Sequence, residues 1–314
     1  MAYVLAALAT NRRAGFTATV LDQACRGARE AGEELGAEVC TETACLAKFD
    51  FKPCLSSFWC ARNEGVGCIL PDDMGRRGSG TLFDKVARAN GLLLATPVHT
   101  WGPSALAHMF WERLYPFLYS DRLNGLPFGA LACATNQGFQ RQAIEEMTKW
   151  AFCRSTLYQG SVAAHVMDRD QVLADARDLG YRVGAAAIAD ERDGRRRFTD
   201  AEKFAHFEAA PWDVLDPYLE NVTDGTFRIA GSLPDRAASG AFATPEALDL
   251  VQQARAEFAR ALELRDAGEP GSANQALMRA SAFWTRATWK EYVADYISRR
   301  QDVQPYRALP AQES

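Results

Sequence analysis

Long apolar runs without polar alternation dominate the N-terminal part of the chain. The clearest runs are 2–9, 92–95 and 128–134. A strand with one solvent-exposed face alternates apolar and polar residues, so these runs are typical of strands buried on both faces of a parallel sheet. Two shorter strands are predicted at 37–40 and 156–162.

Helical patterns lie between these strands. Thr17 opens a helix whose apolar face is predicted to contain Leu21, Ala24, Ala28, Ala31 and Leu35, with Gly36 at its end. Further helices are predicted at 82–90 with Gly91 as C-cap, from Ser104 with an interruption at Pro116, at 140–152 and from Asp168. Strands that alternate with helices predict an α/β fold, here a flavodoxin-like, doubly wound five-stranded parallel sheet of order 2-1-3-4-5.

This topology brings three polar loops to one edge of the sheet. In such folds a ligand binds outside the carboxyl ends of the strands, where the loops 10–17, 96–103 and 134–138 begin. The first loop leads into a helix N-terminus, where unpaired backbone N–H groups and the helix dipole favour a phosphate. The alternative is an ordinary connection between a strand and a helix.

Composition excludes several kinds of partner. The chain has 314 residues, 48% of them hydrophobic, and a formal net charge of −5, so neither nucleic acid nor a membrane surface is an expected partner. No apolar run reaches the ~20 residues that a membrane helix needs. We therefore expect a cytoplasmic protein, whose eight cysteines are thiols or ligands rather than disulfides.

The C-terminal part has a different pattern. We predict a domain at 1–190 followed by a mostly helical extension at 191–314, with irregular structure at 210–243 and an αα-hairpin at 244–303. Ser272 is predicted to cap the second helix of the hairpin. Its aromatic stripe contains Trp289, Tyr292, Val293, Tyr296 and Ile297. The stripe is expected to pack on the first domain or on a second subunit; the alternative is a lid over a ligand.

Two loops resemble motifs of the NADPH-dependent FMN reductases, in the flavodoxin-like superfamily. The segment Thr10-Asn-Arg-Arg-Ala-Gly-Phe-Thr17 resembles their phosphate loop, usually written S-x-R-x-x-G-N-S/T. Thr96-Pro-Val-His99 resembles their T-P-x-Y loop, which contacts the isoalloxazine ring. Phe16 stands in place of the usual Asn, and His99 in place of the usual Tyr.

The resemblance implies FMN as cofactor and NAD(P)H as electron donor. The implied FMN-binding residues are Thr10, Arg12, Gly15, Phe16, Thr17, Pro97, Val98, His99, Thr100, Trp101, Thr135, Asn136, Gln137 and Gly138. His99 is the candidate catalytic residue because an imidazole titrates near neutral pH. The alternatives are a loop histidine bonded to a backbone carbonyl and, for Asn136 and Gln137, ordinary turn residues.

A cysteine-bearing segment between the second and third strands resembles the iron–sulfur flavoprotein branch of the same family. This segment runs from Cys54 to Met74, and Glu112-Arg113 matches an Asp-Arg pair of the family. Ser57 stands where the relatives have their second cysteine, and a hydroxyl is a poor ligand for iron. We therefore expect no metal and no 4Fe–4S cluster. If a cluster exists, its ligands are Cys54, Cys60 and Cys68.

The functional prediction is an FMN-dependent NAD(P)H oxidoreductase that passes electrons to a small organic acceptor. The acceptor would be a quinone, a nitroaromatic compound or a biosynthetic intermediate, and the assembly a homodimer or homotetramer. One alternative is an electron-transfer flavoprotein with an iron–sulfur cluster that serves a protein partner. The other is a scaffold that has lost its flavin.

Overall fold

The computed structural model describes residues 1–63, 67–75, 80–207 and 215–292. The chain divides into two compact units, the first formed by Met1–Phe198 and the second beginning at Thr199. Each unit is described by itself. None of the helices in these ranges is long and apolar enough to span a lipid bilayer.

Five parallel strands form the centre of the first unit. They are β1 (Ala2–Leu8), β2 (Val39–Cys45), β3 (Gly91–His99), β5 (Pro127–Ala134) and β6 (Leu157–His165), and a two-residue strand, β4 (Gly102–Pro103), pairs with β3. Their order is β2-β1-β3-β5-β6, which confirms the flavodoxin-like topology. The predicted bounds of β2 are wrong, because pairing with β1 extends it to Cys45.

One face of the sheet is covered by α1 (Phe16–Leu35) and α7 (Arg169–Asp193). The two helices pack backbone to backbone at glycines. A Cβ atom at Gly180 would lie 1.8 Å from the carbonyl oxygen of Ala24, which leaves no room for a side chain. Leu35, predicted on the same apolar face as Leu21 and Ala28, is half exposed, because it lies in the last turn of α1 outside the apolar cluster.

The opposite face contains α3 (Thr81–Ala87), α4 (Ala105–Glu112), α5 (Tyr115–Tyr119), α6 (Gln140–Cys153) and the short α2 (Trp59–Arg62). Ser104 caps α4 as predicted, since its hydroxyl accepts a hydrogen bond from the N–H of Ala107. Trp111 of α4 packs on Phe128 of β5, with ring centroids 5.3 Å apart. Gly91 is not a helix C-cap. It is the first residue of β3, because it pairs with Val4 in β1.

The second unit is helical. It contains α8 (Asp200–Phe207), α9 (Leu215–Thr223), α10 (Leu233–Arg236), a π-helical turn (Ala237–Ala241), α11 (Pro245–Asp266) and α12 (Pro270–Tyr292). The prediction of irregular structure at 210–243 is wrong within the described residues. Leu219 and Val222 of α9 are buried with Phe258 of α11, so tertiary burial supports short helices that lack a long periodic pattern.

The predicted αα-hairpin is confirmed as far as Tyr292. Its second helix begins before Ser272, because the N–H of Ala273 already donates to the carbonyl oxygen of Glu269. Val293, Tyr296 and Ile297 lie outside the described residues. The docking of the aromatic stripe and the assembly as a homodimer or homotetramer stay predictions.

A buried ion pair fixes the cysteine-bearing segment to the end of α4. The side chains of Arg113 and Asp72 are 1% and 5% exposed. The Nη1 and Nη2 groups of Arg113 donate to the two carboxylate oxygens of Asp72, at 2.7 and 2.9 Å. Burial alone would raise the pKa of Asp72, but the hydrogen bonds and charge of Arg113 outweigh it and hold that pKa below its ordinary value. Arg113 also donates to the carbonyl oxygen of Lys52 and to the sulfur of Cys68.

Substituting Asp72→Asn leaves the Arg113 charge buried without a counter-charge. We expect the free energy of unfolding at neutral pH to fall by about 3–5 kcal/mol, the usual cost of breaking a buried pair. Because the folded-state pKa of Asp72 is depressed, its contribution is complete above the unfolded pKa of about 3.9 and is lost as the pH falls through the folded value. The difference in the free energy of unfolding between wild type and Asp72→Asn should therefore decrease as the pH falls below about 3.9.

Urea unfolding from pH 7 down to pH 3 measures this difference. Asp22→Asn is the matched control, because Asp22 pairs with Arg26 on the exposed surface of α1, where ion pairs contribute about 0–1 kcal/mol. A difference that stays constant as the pH falls would contradict the role assigned to the Asp72 carboxylate.

Candidate functional site

The strand register brings three loops to one edge of the sheet. Leu8 of β1 pairs with Ala95 of β3, and Ala95 pairs with Leu131 of β5. The chain leaves the three neighbouring strands on the same side, into the loops 9–15, 100–101 and 135–139. The predicted site residues therefore come from adjacent loops at the carboxyl edge of the sheet.

The first loop ends in a helix N-terminus that has no side-chain cap. The hydroxyl of Thr10 accepts a hydrogen bond from the N–H of Arg12 at 3.2 Å, and the N–H of Gly15 donates to the carbonyl oxygen of Arg12 at 3.4 Å. Gly15 is the N-cap of α1 in extended backbone, without a capping hydrogen bond from a side chain. Phe16 is half-buried, and the Arg12 side chain is exposed beside this N-terminus. The loop has the features of a phosphate site.

Thr17 faces the sheet. It is buried in the first turn of α1, close enough to Cys133 of β5 to affect the pKa of that thiol. Burial raises the pKa of Cys133 to about 12, against a smaller opposing effect of Thr17, so this sulfur stays a neutral thiol. Thr17 therefore lies against β5, and the backbone N–H groups of the first turn remain the groups available to an anion.

Two buried hydroxyls connect the first loop to the second. The hydroxyl of Ser104 donates to the carbonyl oxygen of Ala9 at 3.0 Å. The hydroxyl of Thr96 donates to that of Ser104 at 3.1 Å and accepts from the backbone N–H of Ser104 at 2.9 Å. The start of the phosphate loop and the end of β3 are therefore held in a single position relative to each other.

The second loop is a tight β-hairpin between β3 and β4. His99 pairs with Gly102, and the two residues between them, Thr100 and Trp101, both have positive φ, 51° and 66°. Positive φ at both central residues is the signature of a type I′ turn. Pro97 and Val98 are half-buried, whereas His99, Thr100 and Trp101 are exposed, so the turn presents their side chains at the site.

The third loop is tied to β6 by a histidine. His165 accepts from the N–H of Met167 at Nδ1, so its Nε2 carries the proton and donates to the carbonyl oxygen of Asn136 at 3.2 Å. Thr135, Asn136 and Gln137 are exposed. Gly138 has φ of 90°, which returns the chain to the start of α6.

The residues present fit FMN. A terminal phosphate suits the uncapped N-terminus of α1 with Arg12 beside it. At the third loop, the Oε1 atom of Gln140 is buried without a hydrogen-bond partner and lies 3.2 Å from where a Cβ atom of Gly138 would stand. A buried acceptor without a donor is costly, and the imide N–H of a flavin is such a donor.

Three side chains at this edge were not predicted from the sequence. Phe139 stacks on Trp101, with ring centroids 4.7 Å apart. The Nε2 atom of His108 in α4 lies 3.3 Å from the carboxylate of Glu146 in α6, and Glu146 lies 3.2 Å from where a Cβ atom of Gly102 would stand. In the sequence, a role for Phe139 in the site is indicated only by its aromatic side chain directly after the loop 134–138. For His108 and Glu146, which lie in separate helices, there is no such indication.

The cysteine-bearing segment has anchors of its own. The N–H of Cys54 donates to the carboxylate of Glu112 at 3.1 Å, next to the Arg113 ion pair. Burial raises the pKa of Cys54, and that of Cys60 to about 12, so both thiols are neutral. Within the described parts of the chain, no three His, Cys, Asp or Glu side chains are arranged to hold a metal ion.

The chain is similar to several known proteins. A curated relative, an iron-sulfur flavoprotein of Methanocaldococcus jannaschii, is 27% identical over 150 residues, covering 48% of this chain and 71% of that protein. An NAD(P)H:quinone oxidoreductase from Methanothermobacter marburgensis is 20% identical with a TM-score of 0.40, over 57% of this chain and 94% of that one. A WrbA-like flavodoxin from Agrobacterium tumefaciens is 13% identical with a TM-score of 0.39, over 60% and 98%.

The pattern that defines the NADPH-dependent FMN reductases matches residues 2–168, which hold all three site loops. This match spans more than half of the chain. The chain therefore belongs to the NADPH-dependent FMN reductase family, and it is a flavin-dependent oxidoreductase whose cofactor is FMN.

Proposed function

We propose that the protein oxidises NAD(P)H at its FMN and passes the electrons to a small organic acceptor, such as a quinone or a nitroaromatic compound. The observation that carries this proposal is the exposed edge beside the phosphate loop, where His99, Trp101 and Phe139 face solvent. A small molecule can reach such an edge directly. When bound, FMN would supply the group that takes up the hydride and passes on the electrons, while the protein binds and orients the reactants.

Each loop has a defined part in this proposal. The backbone N–H groups at the start of α1 and the Arg12 guanidinium hold the phosphate. The loop 135–138 and Gln140 face the polar edge of the flavin. His99 is the proposed proton donor to the reduced acceptor, because its imidazole is exposed at the mouth of the hairpin.

An electron-carrier function for a protein partner is less well supported. The curated relative is an iron-sulfur flavoprotein, but this chain has a serine at position 57, where the resemblance to that branch implies a cluster cysteine. The Ser57 hydroxyl instead accepts a hydrogen bond from the N–H of Trp59 at 3.5 Å. The features of the segment favour a structural role.

An anaerobic spectroscopic experiment tests the proposed function. NADH or NADPH is added to the purified holoprotein, and the flavin absorbance band is followed before and after one equivalent of 1,4-naphthoquinone. We expect the nucleotide to bleach the band and the quinone to restore it. A band that neither nucleotide bleaches would exclude both nucleotides as donors, and a bleached band that the quinone does not restore would exclude the acceptor class.

Substituting Arg12→Ala should weaken FMN binding. We expect a loss of about 1.5–3 kcal/mol, the range for hydrogen bonds to charged groups, which is roughly a 10- to 150-fold rise in Kd. Titration of the apoprotein with FMN, followed by flavin fluorescence, measures this change. Arg26→Ala, on the exposed surface of α1, is the control and should leave the Kd unchanged. Equal affinities for wild type and Arg12→Ala would remove Arg12 from the site.

The isolated protein should carry no stable 4Fe–4S cluster. The reason is Ser57, whose hydroxyl is a harder and much less acidic ligand than a thiol. Anaerobic purification followed by iron and acid-labile sulfide analysis measures this, with the Ser57→Cys variant as a comparison. A content of about four iron and four sulfide per wild-type chain, as in a four-cysteine cluster, would contradict the prediction and favour the electron-carrier function.

A further inference from the structure

Two stacked aromatic rings stand at the carboxyl edge of the sheet. Trp101, in the hairpin after β3, and Phe139, in the loop after β5, have ring centroids 4.7 Å apart and planes inclined by 12°. The two residues are 57% and 38% exposed. The pair therefore joins two of the three site loops and still presents apolar ring surface to solvent.

The backbone at these rings is unfavourable for their residue types. A type I′ turn selects Asn and Gly because both central residues need positive φ, yet this turn has a β-branched residue and an indole, Thr100 and Trp101. Phe139 also has positive φ, 65°. Backbone strain of this kind persists where the surrounding structure imposes it, and it concentrates at functional sites. Glycine at position 101 or 139 would relieve the backbone strain but would remove the aromatic ring.

A purely structural role does not explain the exposure of the rings. An aromatic pair that only braced two loops would gain most by being buried, because the free energy of an apolar side chain falls with the area removed from water. Exposed apolar surface shared by two neighbouring loops is instead typical of a binding site.

We propose that the Trp101–Phe139 pair binds the ring of a planar aromatic acceptor and sets the preference of the enzyme for such acceptors. This inference rests on the proposed function and names the class of acceptor, a quinone or a nitroaromatic compound. Flat rings bind to aromatic side chains in offset-stacked or edge-to-face arrangements. The pair lies in the same loops as the FMN-binding residues His99, Thr135 and Asn136, so a ring held there is next to the cofactor site.

Steady-state kinetics of the holoenzyme provide the first test. The variants are Trp101→Leu and Phe139→Leu, which stay apolar but lose the ring, and Phe139→Tyr, which keeps it. The measured quantity is the ratio of kcat/KM for 1,4-naphthoquinone to kcat/KM for ferricyanide, which has no ring. We expect this ratio to fall about 3- to 10-fold in the leucine variants, through KM of the quinone, as for the loss of an aromatic pair. Phe139→Tyr should keep the wild-type ratio, because the ring is retained.

Met167→Ala is the matched control, because Met167 is an exposed apolar residue at the same edge that is not part of the stack. The ratio should not change in this variant. Equal ratios in wild type and both leucine variants would overturn the proposal. So would a rise in KM for NAD(P)H with no change for the quinone, since the pair would then bind the nicotinamide ring.

Ligand binding without turnover separates this inference from the proposed function. Calorimetry of the holoprotein compares 2-naphthol with decahydro-2-naphthol, which has the same skeleton and no π system. We expect wild type to prefer 2-naphthol and Phe139→Leu to lose that preference, with the FMN content of both proteins measured by absorbance. If the protein prefers 2-naphthol but neither NADH nor NADPH reduces its flavin, the aromatic binding site stands and NAD(P)H is excluded as the donor. Loss of FMN from Phe139→Leu would assign the ring to the cofactor and overturn the proposal.

Discussion

The geometry of the site depends on a chain of buried hydrogen bonds from Thr96 through Ser104 to the carbonyl oxygen of Ala9. Ala9 begins the phosphate loop, Thr96 leads into the hairpin, and Ser104 caps α4. Each of these hydroxyls is buried, so losing one partner would leave the other without its hydrogen bond at a cost of about 1–3 kcal/mol. One network thus positions the start of the loop 9–15, the hairpin after β3 and the N-terminus of α4 relative to one another.

Positive φ and exposed apolar side chains coincide in the hairpin after β3 and in the loop after β5. The strands beneath the site are apolar and buried, and α1 and α7 meet so closely that only glycine fits at Gly180. Above the sheet, Thr100, Trp101 and Phe139 adopt positive φ. A rigid scaffold can hold such unfavourable backbone, and local rules fail mainly where a site requires it. The contrast between the two regions supports a functional role for the strained loops.

Local sequence patterns predicted the strands that are buried on both faces. The wrong predictions concern features that depend on contacts between residues far apart in the sequence. The runs that became β1, β3 and β5 are apolar on both faces, which is visible in the sequence. The true length of β2 was not visible, because its polar residues are held by pairing with β1. The same holds for the functional site, where the phosphate loop has a recognisable motif. The stack of Trp101 on Phe139 forms only when the fold brings two distant loops together.

The cysteine-bearing segment is anchored by direct contacts to the end of α4. Its position is set by the Arg113–Asp72 ion pair and by the bond from the N–H of Cys54 to Glu112. Neither contact requires a metal, since both join side chains at the end of α4 directly to the segment. Neither contact involves position 57, so the anchoring of the segment does not depend on which residue stands there. The ion pair therefore holds the segment in place through protein groups alone.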